Sequence, residues 1–155
     1  MEFVKLLEHP QYIDLVADWM YTAFCEQDRP SLTRFDIKKR LETSCSDTLP
    51  MVFIAIIEGE CVGTVSLYQN DLAGESVTPW LASLFVRPDL RGKGVGRFLI
   101  DSVSRVAKEM GFETLYLRTE HTAAYYDKLG WTLVKQTVDP VYQLNTSMYS
   151  IALSQ

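Results

Sequence analysis

The chain has 155 residues, enough to bury one hydrophobic core but not a second module, so one domain over residues 1–155 is expected. Hydrophobic residues make up 47% and charged residues 23%, an ordinary globular balance that excludes a disordered or fibrous chain. A formal net charge of −5 argues against a nucleic-acid partner, and no apolar run approaches the roughly 18 residues of a membrane span. Met1–Lys5 shows no leader-like apolar stretch, so a cytoplasmic location is expected.

Glu2 to Leu7 alternates loosely and predicts a first strand. Pro10 opens a helical pattern through Ile13, Val16, Ala17, Met20 and Phe24. After the polar connection Glu26 to Pro30, Ser31 to Arg34 offers a capped start for a second helix with a weak stripe at Phe35, Ile37 and Leu41. Met51 to Glu58 and Cys61 to Gln69 read as two strands joined by a tight Gly59-Glu60 turn. Asn70 to Pro79 is poor in apolar residues and predicts a mobile loop bordering a pocket. Trp80 to Val86 is a short apolar run stopped by Arg87-Pro88-Asp89, which reads as a buried strand entering a turn. Apolar residues at Val95, Phe98, Leu99, Val103, Val106 and Met110 then give one helical stripe, closed by Gly111. Thr114 to Thr119 reads as a strand, Thr122 to Gly130 as a short helix, and Thr132 to Val138 and Asn145 to Leu153 as a final pair of strands. That order predicts a mixed α/β fold with a central, mainly antiparallel sheet flanked by helices.

Between the Trp80–Val86 strand and the long helix stands Arg91-Gly92-Lys93-Gly94-Val95-Gly96. The first amides of a helix lack intrahelical partners and its dipole favours anions, so glycines there let a phosphate approach the backbone. A Walker loop is excluded because Lys93 is followed by Gly94 rather than Ser or Thr. A dinucleotide loop is excluded because Gly-x-Gly-x-x-Gly fails from either Gly92, which reaches Arg97, or Gly94. Arg87, Arg91, Lys93 and Arg97 form a local basic cluster in an acidic chain, which suits a small anionic ligand.

Arg91, Gly94 and Gly96 fill the pattern Arg/Gln-x-x-Gly-x-Gly/Ala, and this resembles the coenzyme A pyrophosphate loop of the GCN5-related N-acetyltransferase (GNAT) family. Tyr125-Tyr126-Asp127-Lys128-Leu129-Gly130-Trp131 resembles the Phe-Tyr-x-x-x-Gly-Phe segment of the same family. The resemblance implies a twisted sheet in which two neighbouring parallel strands splay apart to admit the pantetheine arm of acetyl-coenzyme A. It assigns backbone contacts to Leu84, Phe85 and Val86, a place on the second strand to Thr119, and the pyrophosphate to Arg91, Gly92, Lys93, Gly94, Val95, Gly96 and Arg97. It also makes Tyr126 the general acid beside the coenzyme sulfur, and it implies a homodimer.

The base departs from the family pattern, because Trp80, Ala82 and Ser83 occupy places where a carboxylate or histidine often stands. Glu75, Glu120, His121, Glu26 and Asp28 lie in segments able to border the acceptor, and Trp80 is read either as an apolar wall for the acceptor or as a core anchor. Three scattered cysteines and two distant histidines match no metal site, so metal-free chemistry is expected. The implied reaction is acetyl transfer to a primary amine of a small molecule or peptide, with the overall acidity favouring a cationic acceptor. A non-catalytic acyl-coenzyme A sensor and transfer of a longer acyl group remain open alternatives.

Overall fold

The computed structural model describes residues 1–153. Its seven strands are β1 (Glu2–Lys5), β2 (Met51–Ile57), β3 (Glu60–Tyr68), β4 (Trp80–Val86), β5 (Thr114–Thr119), β6 (Thr132–Val138) and β7 (Asn145–Ala152). They form one sheet in the order β1-β2-β3-β4-β5-β7-β6, antiparallel throughout except where β4 meets β5. The helices are α1 (Ile13–Met20), α2 (Arg34–Glu42), α3 (Val95–Glu109) and α4 (Ala123–Lys128). This is the predicted class and order of elements.

The apolar run of β2 explains the layering. Met51, Phe53 and Ala55 join the core under α3, while Val52, Ile54 and Ile56 join the core under α1 and α2. A strand buried on both faces reads as continuous hydrophobics rather than an alternation. Each fully buried Val, Leu or Ile contributes about 1.5–3 kcal/mol, so both helical layers are held chiefly by this strand and its neighbours.

The predicted boundaries shift at three points. Pro10 opens a 3₁₀ turn, Pro10–Tyr12, and the α-helix starts only at Ile13. Beyond Met20 the chain continues as a π-helical turn, Tyr21–Cys25, closed by Glu26 N–H donating to Tyr21 O at 2.8 Å. The β2–β3 hairpin turns at Glu58-Gly59, both at positive φ (50° and 80°), one residue earlier than expected; that is the conformation a right-twisted two-residue hairpin requires.

The loop between β3 and β4 is tied down rather than mobile. The Asn70 side chain bridges it, accepting from Leu72 N–H at 3.1 Å and donating to Glu75 O at 2.7 Å. Leu72 is buried against Trp80 and Met148, and Trp80 Nε1 donates to Val77 O. One apolar anchor and one Asx turn thus outweigh a polar composition. Among the described residues no helix is long and apolar enough to cross a membrane.

Candidate active site

β4 and β5 start side by side and then part. Their register contains a single pair, Trp80 with Tyr116, supported by Tyr116 N–H donating to Pro79 O at 3.1 Å. β4 is further bent by a bulge. Between the pairs Ser66–Ala82 and Thr64–Phe85, β3 advances two residues while β4 advances three. Ser83 sits at the extra position with φ of 53°, a left-handed conformation that costs a non-glycine residue energy and concentrates at functional sites. The parted strands open onto a cavity of about 260 Å³, to which Ser83 and Leu84 contribute from one strand and Leu117, Arg118 and Thr119 from the other.

The glycine-rich run stands just past β4. Gly94 is the residue before α3, with φ of 89°, and no side chain caps the helix amides that follow it. Arg91 Nε donates to Val86 O at 2.9 Å, and the guanidinium lies over the Phe85 ring at 5.2 Å. The loop is therefore fastened to β4. Arg87 is spoken for by Asp89 (2.7 Å) and Glu60 (3.4 Å), and Arg97 by Asp101 (3.2 Å). Among the described residues Arg91 and Lys93 have no carboxylate within ion-pair distance, so their charges are available at the open helix end. A Cβ at Gly96 would stand 2.9 Å from Tyr125 Oη, so this glycine makes room for a half-exposed tyrosine that roofs the start of α3.

Tyr126 lines the cavity from α4. It is 6% exposed, with its ring edge-on to Trp131 and Tyr125. Burial pushes its phenol well above the usual range, with a smaller contribution from Tyr125, so it stays protonated at neutral pH. Among the described residues its hydroxyl makes no hydrogen bond.

The sequence candidates for the acceptor side divide. Glu120 and His121 line the cavity; Trp80 and Glu75 do not. Trp80 is fully buried and stacks near Tyr116, a core anchor between the sheet and the β3–β4 loop. Glu75 pairs with Lys135 on β6. Glu120 is already engaged, accepting from Arg29 (3.3 Å), Arg118 (3.1 Å) and the Thr146 hydroxyl (3.1 Å). His121, its side chain 70% exposed, pairs with Asp28 at 2.8 Å. Glu26 is exposed and stands outside the lining.

Sequence reasoning did not single out Asp71, and it is the residue that changes the chemistry of the cavity. Burial raises its carboxyl to about 7, against the lowering influence of Arg118, Arg29 and Arg40. Among the described residues its carboxylate forms no ion pair, although its main-chain oxygen accepts from Arg118 Nη1 at 3.0 Å. Arg118 fixes this corner. With its side chain 7% exposed, it reaches Asp139 (2.6 Å), Glu120 and the Thr146 hydroxyl (3.2 Å). Burial opposes charge on Asp139, but the amides of Val141 and Tyr142 and the Arg118 guanidinium together hold its carboxyl below the ordinary carboxylate value. Among the described residues no group of three or more His, Cys, Asp or Glu could hold a metal ion.

Comparison with known proteins follows the same lines. A family model described as the acetyltransferase (GNAT) family matches residues 12–131. No curated protein matches the sequence. An aminoglycoside 6'-N-acetyltransferase solved with coenzyme A superposes with a TM-score of 0.79 at 16% identity, covering 100% of this chain and 98% of that one. The aminoglycoside 6'-N-acetyltransferase from Enterococcus faecium gives 0.74 at 16% identity, covering 100% and 98%. A GNAT-family acetyltransferase from Staphylococcus aureus gives 0.72 at 20% identity, covering 99% of each chain. At these identities the likeness is one of fold.

Proposed function

Because the chain belongs to the acetyltransferase (GNAT) family, we propose that it moves the acetyl group of acetyl-coenzyme A onto a primary amine of a small molecule, by direct attack in a ternary complex. The observation that carries this reading is the cavity between the parted strands, whose lining includes both Tyr126 and Asp71. Similarity to structures named as aminoglycoside acetyltransferases, one of them with coenzyme A, supports the cosubstrate and a small-molecule acceptor.

In this scheme the open amides after Gly94, together with Arg91 and Lys93, take the pyrophosphate. Main-chain groups of Leu84, Phe85 and Val86 line up with the pantetheine arm opposite Thr119. The Leu84 amide, beside the bulge, donates to the thioester oxygen as negative charge develops there. The Asp71 carboxylate accepts a proton from the acceptor's ammonium, and the freed nitrogen lone pair attacks the carbonyl carbon. As the tetrahedral intermediate collapses the nitrogen gives up its second proton to solvent and the carbon–sulfur bond breaks; the sulfur takes the Tyr126 phenolic proton, which solvent later restores, and Asp71 returns its own proton to solvent. A non-catalytic sensor would need no base, and in this scheme Asp71 supplies one.

Following free thiol while acetyl-coenzyme A is incubated with a panel of primary amines tests the reaction itself. The expected result is amine-dependent thiol release. Tight cosubstrate binding with no turnover on any amine would sink the transferase reading in favour of a sensor. Tyr126→Phe is expected to lower kcat by roughly 10² while leaving the dissociation constant of acetyl-coenzyme A unchanged. Full turnover in that variant would remove Tyr126 from the scheme. Gly94→Val forces a branched side chain into a left-handed backbone, a strain of about 1–2 kcal/mol, and is expected to weaken acetyl-coenzyme A binding about tenfold by calorimetry. Unchanged affinity would move the pyrophosphate elsewhere.

A further inference from the structure

A second chamber of about 530 Å³ adjoins the cavity between the strands. The two share Arg29, Leu32, Arg40, Tyr68, Asp71 and Arg118 in their linings, so they lie against the same side chains. Their charges differ. The carboxylates of Asp28 and Glu120 face only the inner cavity, whereas the charged residues of the outer chamber are the three arginines and Asp71. The rest of its lining, such as Ser44, Gln69, Asn70 and Tyr142, is neutral.

The three guanidinium groups are not equivalent. Arg118 is matched by Asp139 and Glu120, and Arg29 by Glu120, the Phe24 carbonyl (2.7 Å) and the face of Tyr142 (5.2 Å). These contacts hold both in place as part of the wall. Arg40, in the last turn of α2, has no carboxylate within ion-pair distance among the described residues. It leaves the outer chamber with a positive charge that no carboxylate has satisfied, carried on a planar fork suited to a carboxylate or phosphate. The acidity of the chain as a whole does not extend to this place.

We propose that the acceptor is a small primary amine whose other end is anionic: the amine enters the inner cavity beside Asp71, and the anion is held in the outer chamber by Arg40. This deepens the transferase reading and rests on it. Such polarity selects amino carboxylates or aminoalkyl phosphates and disfavours polycations, which would bring their second charge against the unpaired Arg40.

The test uses the whole protein at saturating acetyl-coenzyme A, with thiol release measured on matched straight-chain amines of several lengths. At each length the far end is a carboxylate, a phosphate, an alcohol or a second amine. The expected result is kcat/KM about tenfold or more higher for an anionic member than for the alcohol of the same length, carried by KM. Whether carboxylate or phosphate leads identifies the anion. Arg40→Gln, a change on an exposed helix position, is expected to raise KM about tenfold for the anionic members alone, and Arg40→Lys to recover part of that loss. Equal service of alcohols or diamines, or an Arg40→Gln effect common to the whole series, overturns the inference and leaves the transferase standing. Absence of thiol release with every member overturns the transferase reading, and this inference with it.

Discussion

Asp71→Asn is expected to lower kcat/KM by roughly 10²–10⁴ with acetyl-coenzyme A affinity intact, because the amide fills the same space but cannot accept a proton. In the parent enzyme the Asp71 carboxyl, raised by burial to about 7, must be ionised to serve as base. Activity should therefore climb with pH through about 7 and level off above it, and the variant should lack that limb. The charged groups acting on Asp71 are Arg118, Arg29 and Arg40, which lower its pKa, and Glu120, which raises it. Stability should move the other way. In the unfolded chain the carboxyl titrates near 3.8, so between that value and about 7 the folded protein holds a proton the unfolded chain has released. Folding is thus favoured by this group at low pH and weakened as pH rises through the window. Asp71→Asn removes the weakening, so at pH 8 it should unfold at a denaturant concentration no lower than the parent does. Loss of turnover without loss of stability marks a group kept for chemistry rather than for folding. An unaltered pH profile and undiminished turnover in Asp71→Asn would eliminate it as the base.

Much of this arrangement was legible because it depends on local pattern. The Trp80–Val86 and Thr114–Thr119 strands fall within the predicted limits, as does the start of α3 after Gly94, since apolar runs, a proline stop and glycines each act within a few residues. What escaped depends on distance. Arg118 sits on a strand whose partners, Asp139 and Thr146, come from the far end of the chain, and a buried arginine is readable only once its carboxylates are in place. Asp71 follows Asn70 in a turn-rich stretch, where an aspartate is most simply explained by turn chemistry. Only the fold shows that Leu72 and the Arg118 contact draw this residue inward. The π-helical turn at Tyr21–Cys25 was equally hidden, because the apolar spacing through Phe24 suits an unbroken α-helix; yet that turn places the Phe24 carbonyl where Arg29 can donate to it.

Arg118→Leu is expected to destabilise the protein by about 3–5 kcal/mol, the largest stability effect among these variants. The reason lies in what the substitution leaves behind. Asp139, with its side chain 2% exposed, would keep its two amide donors but lose the guanidinium that neutralises it, and Glu120 would lose one of its two arginines. Removing one partner of a buried pair strands a charge, whereas replacing both sides by apolar groups often restores stability. Arg118→Leu combined with Asp139→Leu should consequently be closer to the parent than Arg118→Leu alone, despite carrying one more change. Thermal unfolding separates the cases: for a chain of this length the single variant should melt roughly 10 °C lower. An Arg118→Leu protein melting within about 2 °C of the parent would show that the network contributes little to folding. Arg118 also donates to the Asp71 main-chain oxygen, so even a folded fraction should release thiol more slowly, with Asp71 no longer held to the cavity wall. Stability and base placement thus meet at one guanidinium, which ties the β3–β4 loop to β5 and sets the carboxyl where the parted strands open.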